Sequence, residues 1–229
     1  NYYVFPQDES KHIVKVLRMK EGDRIHLTDG KGNLFTSQIV EADIKRCKVW
    51  VTSKNSGDDK RDFSVHIAIA PTKNIKRFEW FLEKCTEIGV DEITPLKCRY
   101  SERNYIRWDR LNRVISSAMK QSLKSYLPVL NDMTDFEDFL TSDIDNETQC
   151  YIALCDDLPK KHLKNVYSTG KDVLIIIGPE GDFSDEEKEN AKEKGFEPVT
   201  ISSSRLRTET AGLVACHIVN LMNERDVSE

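Results

Sequence analysis

The chain has 229 residues, of which 38% are hydrophobic and 32% charged, and its formal net charge is −5 at pH 7. This composition is typical of a globular protein with a sizeable core and excludes a disordered chain. The longest aliphatic run, residues 173–177, is too short to span a bilayer, and no leader pattern is present, so we expect no membrane partner. Six cysteines without CxxC spacing indicate no zinc site, and reduced thiols in the cytoplasm are expected.

Short strands characterise the N-terminal part of the chain. Two apolar-polar runs, residues 24–28 and 34–40, flank a turn with two glycines at 29–33. A glycine-containing turn between two such runs is typical of a β-hairpin. Residues 48–52 predict another strand, and a small β-barrel is the simplest interpretation of residues 1–70.

Strands and helices alternate after the barrel region, which predicts a parallel α/β domain over residues 71–229. The run at 173–177 is apolar at every position, as expected for a strand buried on both faces. The predicted strands are 65–70, 93–96, 150–154, 173–177 and 196–201. The predicted helices are 78–88, 108–122, 184–195 and 211–222.

The net negative charge is unevenly distributed. Residues 73–128 carry 12 basic and 7 acidic side chains, whereas residues 129–229 carry 10 and 22. A protein that binds a polyanion needs a local positive surface, and the first 128 residues can supply one. Taken without other observations, this charge distribution is explained equally well by ordinary solvent-exposed surfaces that bind no polyanion.

One loop between a buried strand and a capped helix carries the sequence Gly178-Pro179-Glu180-Gly181. Ligands of parallel α/β sheets bind at the carboxyl ends of strands, where this loop is expected. Two glycines let a ligand approach the backbone closely, and the acidic side chains favour a cationic or neutral ligand over phosphate. A purely structural turn is the alternative for this loop alone.

A second polar loop, residues 202–211, also follows a strand and precedes an apolar helix. A helix start with Thr208 as N-cap explains Thr208 and Glu209. It does not explain Arg205 and Arg207, which indicate an anionic ligand or a planar carbonyl partner.

These two loops together resemble the paired motifs of the ribosomal small-subunit uridine-N3 methyltransferase family of the SPOUT superfamily. Gly178–Gly181 carries the first motif and Leu206–Ala211 the second. Segments 12–18, 84–95 and 121–128 resemble further family motifs in the same order. The resemblance therefore extends from about residue 12 to about residue 215.

The resemblance implies an N-terminal PUA-like β-barrel followed by a SPOUT α/β domain with a C-terminal trefoil knot. It implies a homodimer that binds S-adenosylmethionine without a metal. The implied reaction is methylation of N3 of one uridine in 16S rRNA, either free or in the small ribosomal subunit.

The resemblance also assigns residues to roles. Arg207 is expected to stabilise the charge that develops on uracil or to contact phosphate, and Glu209 to orient a group or remove the N3 proton. His12, Lys15 and Arg18 are expected to bind RNA, with packing inside the barrel as the alternative for His12. The residues expected to bind the cofactor are Leu154, Ile177, Gly178, Pro179, Glu180, Gly181, Ile201, Leu206, Thr210 and Ala211.

Two other function classes stay open at this point. A nucleotide-using α/β enzyme of another class is disfavoured, because no phosphate-binding lysine or glycine-rich cradle accompanies the first loop. A non-catalytic RNA-binding adaptor is kept open by two departures from the family pattern. Asp182 stands where the family usually has glycine, and Ser203-Ser204 stands where it usually has Leu-Gly.

Overall fold

The computed structural model describes residues 1–57, 60–156 and 159–224, so the end of the predicted second domain, residues 225–229, lies outside the described residues. The chain divides into two compact units. We call Asn1–Lys60 with Leu123–Leu127 the β unit, and Arg61–Ser122 with Pro128–Glu229 the α/β unit. The division falls ten residues before the boundary expected at residue 70, because the strand Val65–Ile69 belongs to the sheet of the α/β unit.

The β unit is built on an antiparallel sheet with the strand order β1-β4-β3-β2. Its elements are β1 (Tyr2–Val4), α1 (Gln7–Lys11), a π-helical segment (His12–Val16), β2 (Arg24–Thr28), β3 (Asn33–Glu41) and β4 (Lys48–Ser56). The predicted hairpin is confirmed, with Arg24 opposite Gln38 and Thr28 opposite Leu34. The sequence patterns did not predict the helical segment at 7–16, which buries Ile13 against the sheet core.

A distant part of the chain completes the β unit. Leu123–Leu127 follows the helix that ends at Gln121, yet it pairs with residues of the β2–β3 turn. The carbonyl oxygen of Ser125 accepts hydrogen bonds from Thr28 Oγ1 (3.1 Å) and from Gly32 N (2.9 Å). Gly32 has φ +87°, a conformation that favours glycine, and a Cβ there would overlap the ring of Tyr126 unless that ring moved.

The α/β unit contains one parallel sheet with the strand order β10-β12-β9-β11-β5-β6-β7, and β8 pairs with β6. Its elements are β5 (Val65–Ile69), α2 (Ile75–Ile88), β6 (Glu92–Lys97), α3 (Trp108–Gln121), β7 (Val129–Leu130), β8 (Thr134–Asp135), α4 (Phe136–Leu140), β9 (Gln149–Ala153), β10 (Lys161–His162), a 3-10 turn (Leu163–Asn165), β11 (Val173–Ile177), α5 (Asp185–Glu193), β12 (Glu197–Thr200) and α6 (Thr208–Asn223).

The predicted parallel α/β arrangement is confirmed. β11 lies between β9 and β5 and is buried along its whole length, as its uninterrupted apolar sequence indicated. The capping box at the start of α5 is also present, since Ser184 and Glu187 exchange side-chain and backbone hydrogen bonds. Within the described part of the chain, no helix is both long enough and apolar enough to cross a membrane.

Candidate active site

The two polar loops meet at one edge of the parallel sheet. β12, β9 and β11 are neighbours, so the loops that follow them leave the sheet at the same carboxyl edge. These loops enclose a cavity of about 330 Å³, a size within the usual range for small-molecule sites. The expected cofactor residues that line the cavity are Leu154, Ile177, Gly178, Pro179, Glu180, Ile201, Leu206 and Ala211. Gly181 and Thr210 are outside its lining.

The first loop is held in a tight turn. Asp182 N donates a hydrogen bond to Pro179 O (3.0 Å), and Asp182 has φ 64°, in the left-handed region. Aspartate is one of the few residues besides glycine that adopt this conformation readily, so the departure at 182 is accommodated. Glu180 Oε1 accepts a hydrogen bond from Lys73 N (3.0 Å), which ties the loop to the segment before α2.

An ion pair lies against the same loop. Lys188 Nζ is 3.2 Å from an Asp182 carboxylate oxygen and 3.8 Å from Asp156 Oδ2. Partial burial lowers the pKa of Lys188, but the hydrogen bond to Asp182 and the charges of Asp182, Asp156 and Asp185 raise it, and the net shift is upward. Lys188 therefore stays protonated and offsets part of the acidic charge beside the cavity.

The second loop brings two arginines to the cavity. Arg205 and Arg207 both line it, together with Ser202 and Ser204. The expectation that Thr208 caps α6 is wrong, because Thr208 is the first helical residue and Arg207 occupies the N-cap position without a side-chain capping bond. The position of Arg207 is therefore not explained by capping.

Glu209 lies outside the cavity lining and is buried, with 6% of its surface exposed. Its Oε1 is 3.8 Å from Arg77 Nε on α2. Its Oε2 is buried and has no hydrogen-bond partner among the described residues. Arg77 was not singled out by the sequence, because its partner is more than 130 positions away and no local pattern connects them.

The three residues expected to bind RNA lie in the β unit. His12 and Lys15 belong to the π-helical segment, and Arg18 follows it with φ 56°. All three are exposed, whereas the neighbouring Ile13 is buried. His12 is therefore not packed inside the β unit, which was the alternative to RNA binding for this residue.

The cavity lining carries charged side chains of both signs and several apolar groups. The acidic Glu180 and Asp182 line the cavity together with the basic Arg205 and Arg207. Among the described residues, no group of three or more His, Cys, Asp or Glu side chains is arranged to hold a metal ion. Apolar groups from Leu154, Ile177 and Leu206 complete the lining, as is usual for sites that bind small organic molecules.

Two family models match this chain. Residues 59–220 match the model of an RNA methyltransferase domain, and residues 5–49 match the model of an RNA methyltransferase PUA domain. The first range covers most of the α/β unit together with residues 59–60 and 123–127 of the β unit, and the second lies within the β unit.

Named relatives and solved structures agree with the family models. The chain is 30% identical to ribosomal RNA small subunit methyltransferase E 2 of Borreliella burgdorferi, over 87% of this chain and 83% of the relative. A Porphyromonas gingivalis protein described as a probable rRNA-methyltransferase superposes with a TM-score of 0.90 at 45% identity, covering 96% of this chain and 93% of that one. A Legionella pneumophila protein solved with bound S-adenosylmethionine superposes with a TM-score of 0.88 at 26% identity, covering 97% and 93%. The chain therefore belongs to the RNA methyltransferase family that includes the ribosomal RNA small subunit methyltransferases E.

Proposed function

We propose that this protein transfers a methyl group from S-adenosylmethionine to N3 of one uridine in 16S rRNA. The observation that carries the proposal is the cavity at the carboxyl edge of β9, β11 and β12, which both family-like loops line. The names of the relatives and the cofactor bound to the Legionella neighbour support the same reaction class. We further propose that the enzyme acts in the cytoplasm and that its C-terminal part forms the trefoil knot of the SPOUT family.

The first loop and the apolar lining would hold the cofactor. When bound, S-adenosylmethionine supplies an electrophilic methyl group on a positively charged sulfur. The carboxylate of Glu180 is proposed to favour the positively charged sulfur, whereas Lys188 offsets the charge of Asp182. Gly181 and Thr210 are proposed to support the two loops from behind the lining.

Arg207 is proposed as the residue that contacts the reacting base. Uracil N3 must lose its proton for attack, and the resulting negative charge spreads onto the two flanking carbonyl oxygens. A guanidinium group can stabilise this charge by donating hydrogen bonds to one of these oxygens, which leaves N3 free to attack the methyl group. Because Arg207 lines the cavity at the start of α6, the positive end of the helix dipole acts in the same direction.

Glu209 is proposed as a positioning residue. Its carboxylate on α6 forms an ion pair with Arg77 on α2. This pair is proposed to hold the first turn of α6, which directly follows Arg207. A buried carboxylate oxygen without a partner is unfavourable, so it is expected to gain one in the working enzyme. Removal of the N3 proton by Glu209 is the alternative role and requires this oxygen to face the substrate.

One experiment tests the proposed function. The protein is incubated with radiolabelled S-adenosylmethionine and small ribosomal subunits that lack the modification, and the methylated base is then mapped. Label at N3 of a single uridine is the expected result. Cofactor binding without any transfer to free or assembled rRNA would support the non-catalytic adaptor instead. No cofactor binding at millimolar concentration would reject the methyltransferase.

A homodimer is proposed from the surface of α6. The helix buries Gly212, Cys216 and Val219 inside the α/β unit, while Leu221 is 55% exposed. Leu213, Val214 and Ile218 are only half-buried, and a helix that is apolar on two faces usually has a second partner. Light scattering at tens of micromolar is expected to give the mass of a dimer. A monomer mass at that concentration contradicts the proposal.

The RNA contact of the β unit is tested by salt dependence. Arg18→Ala and Lys15→Ala are each expected to weaken binding to small subunits and to reduce the log–log salt slope by about one unit. The affinity for S-adenosylmethionine should not change. Lys45→Ala serves as a control, since Lys45 is an exposed lysine elsewhere in the β unit. Slopes equal to that of the wild type in all variants would place the RNA elsewhere.

A further inference from the structure

The segment that links β6 to α3 alternates arginines with exposed aromatic rings. Tyr100 is 53% exposed and Tyr105 is 69% exposed. Arg99 and Arg107 are also exposed, and their guanidinium groups have no hydrogen-bond or ion-pair partner within the described parts of the chain. These four residues belong neither to the hydrophobic core of the α/β unit nor to the cavity lining, so neither role accounts for their presence here.

This segment is fastened directly beside the first cavity loop. Arg103 Nη2 donates a hydrogen bond to Lys73 O (2.6 Å), and Lys73 N donates one to Glu180 Oε1 (3.0 Å). A Cβ placed on Gly181 would lie 3.0 Å from Tyr100 Cβ, so the two chain segments touch. The exposed tyrosine rings and free guanidinium groups are therefore carried on a fixed backbone next to the proposed cofactor site.

The chemistry of this surface fits unpaired RNA. Exposed aromatic rings bind nucleotide bases by stacking, and unpaired guanidinium groups bind phosphates. The one acidic side chain between the two tyrosines, Glu102, is paired with Lys73 Nζ at 2.6 Å, which offsets its repulsion of phosphate. Base-paired RNA hides the faces of its bases, so duplex RNA cannot use the tyrosine rings.

We propose that residues 99–107 bind the unpaired nucleotides that flank the target uridine, with Tyr100 and Tyr105 stacking on bases and Arg99 and Arg107 holding phosphates. The proposal rests on the proposed function, because it identifies what delivers the substrate base to that cavity. It assigns substrate positioning to a segment whose residues do not line the cofactor cavity.

Single substitutions with matched controls test the proposal. Affinity for a fluorescein-labelled single-stranded oligouridylate is measured by anisotropy, and KM for small subunits is measured by methyl transfer. Tyr105→Ala should weaken oligouridylate binding about fivefold or more, whereas Tyr105→Phe keeps the ring and should bind like the wild type. Arg99→Ala should reduce the salt slope by about 0.7 units. Lys171→Ala, an exposed lysine before the amino end of β11, should change nothing.

The alanine variants should raise KM for subunits while kcat and the affinity for S-adenosylmethionine stay unchanged. Oligouridylate affinity equal to that of the wild type in Tyr105→Ala and Arg99→Ala would overturn the proposal. Equal losses for duplex and single-stranded RNA would also overturn it, because they exclude stacking. If the wild-type protein transfers no methyl group, the proposed function fails, and the oligouridylate comparison still decides this proposal separately.

Discussion

Arg207→Ala is expected to lose methyl transfer by about a hundredfold or more, the usual effect of removing one preorganised donor from a catalytic site. The residue lines the cavity but caps no helix with its side chain, so its removal takes away charge stabilisation and leaves α6 intact. Single-turnover rates with saturating subunits measure the effect. The affinity for S-adenosylmethionine should stay within a few-fold of the wild type.

Two further variants separate catalysis from structure at this position. Arg207→Lys keeps the charge but lacks the planar pair of donors, so it should recover only part of the rate. Glu209→Gln keeps the shape of the buried side chain and removes the charge that faces Arg77, and it should lower kcat without unfolding the protein. Near-normal rates for both Arg207→Ala and Glu209→Gln would mean that this polar cluster has only a structural role at the start of α6.

Gly178→Ala is expected to weaken S-adenosylmethionine binding by tenfold or more. A Cβ at this position would lie 2.8 Å from Phe183 Cε2. Phe183 is buried and packs against Phe136 with ring centroids 5.4 Å apart, so its ring has no room to yield. The loop must move instead, at a cost of about 1–3 kcal/mol in the free energy of unfolding. Calorimetry with the cofactor and thermal unfolding measure the two effects.

Gly195→Ala provides a control for lost stability. Gly195 has φ +88° and no atom within 4 Å of an added Cβ, so alanine is strained but collides with nothing. The variant should lose about 1–2 kcal/mol of stability and keep the affinity for the cofactor. Equal affinities in Gly178→Ala and Gly195→Ala would show that the first loop does not hold the cofactor.

Local sequence patterns predicted the parts of this fold that depend on neighbouring residues. The apolar run 173–177 indicated a strand buried on both faces, and Ser184 with Glu187 indicated a capped helix; both are present. Both polar loops were also predicted to follow strands, which brings them to one edge of a parallel sheet. The family resemblance then assigned residues such as Ile177 and Leu206 to one site, and both line the same cavity.

Features that depend on contacts between residues far apart in the sequence could not be predicted from local patterns. The burial of Glu209 beside Arg77 arises from the packing of α6 on α2, and no spacing in the sequence indicates it. The buried face of α6 includes Gly212, whose missing side chain makes room for Phe81, so the large apolar residues of this helix do not by themselves mark its buried face. Two-residue strands such as β7 and β10 are too short to show any periodicity.

The pairing of Ser125 with the β2–β3 turn has a consequence for how the protein can be divided. The chain passes between the two units after residues 60, 122 and 127, so no single cut yields both units complete. A fragment that ends at residue 60 lacks the carbonyl that Thr28 and Gly32 bind, and it leaves the space beside Gly32 empty. Expression of the β unit by itself therefore calls for a gene in which codons 123–127 are grafted after codon 60, whereas simple truncation is expected to give an unstable product.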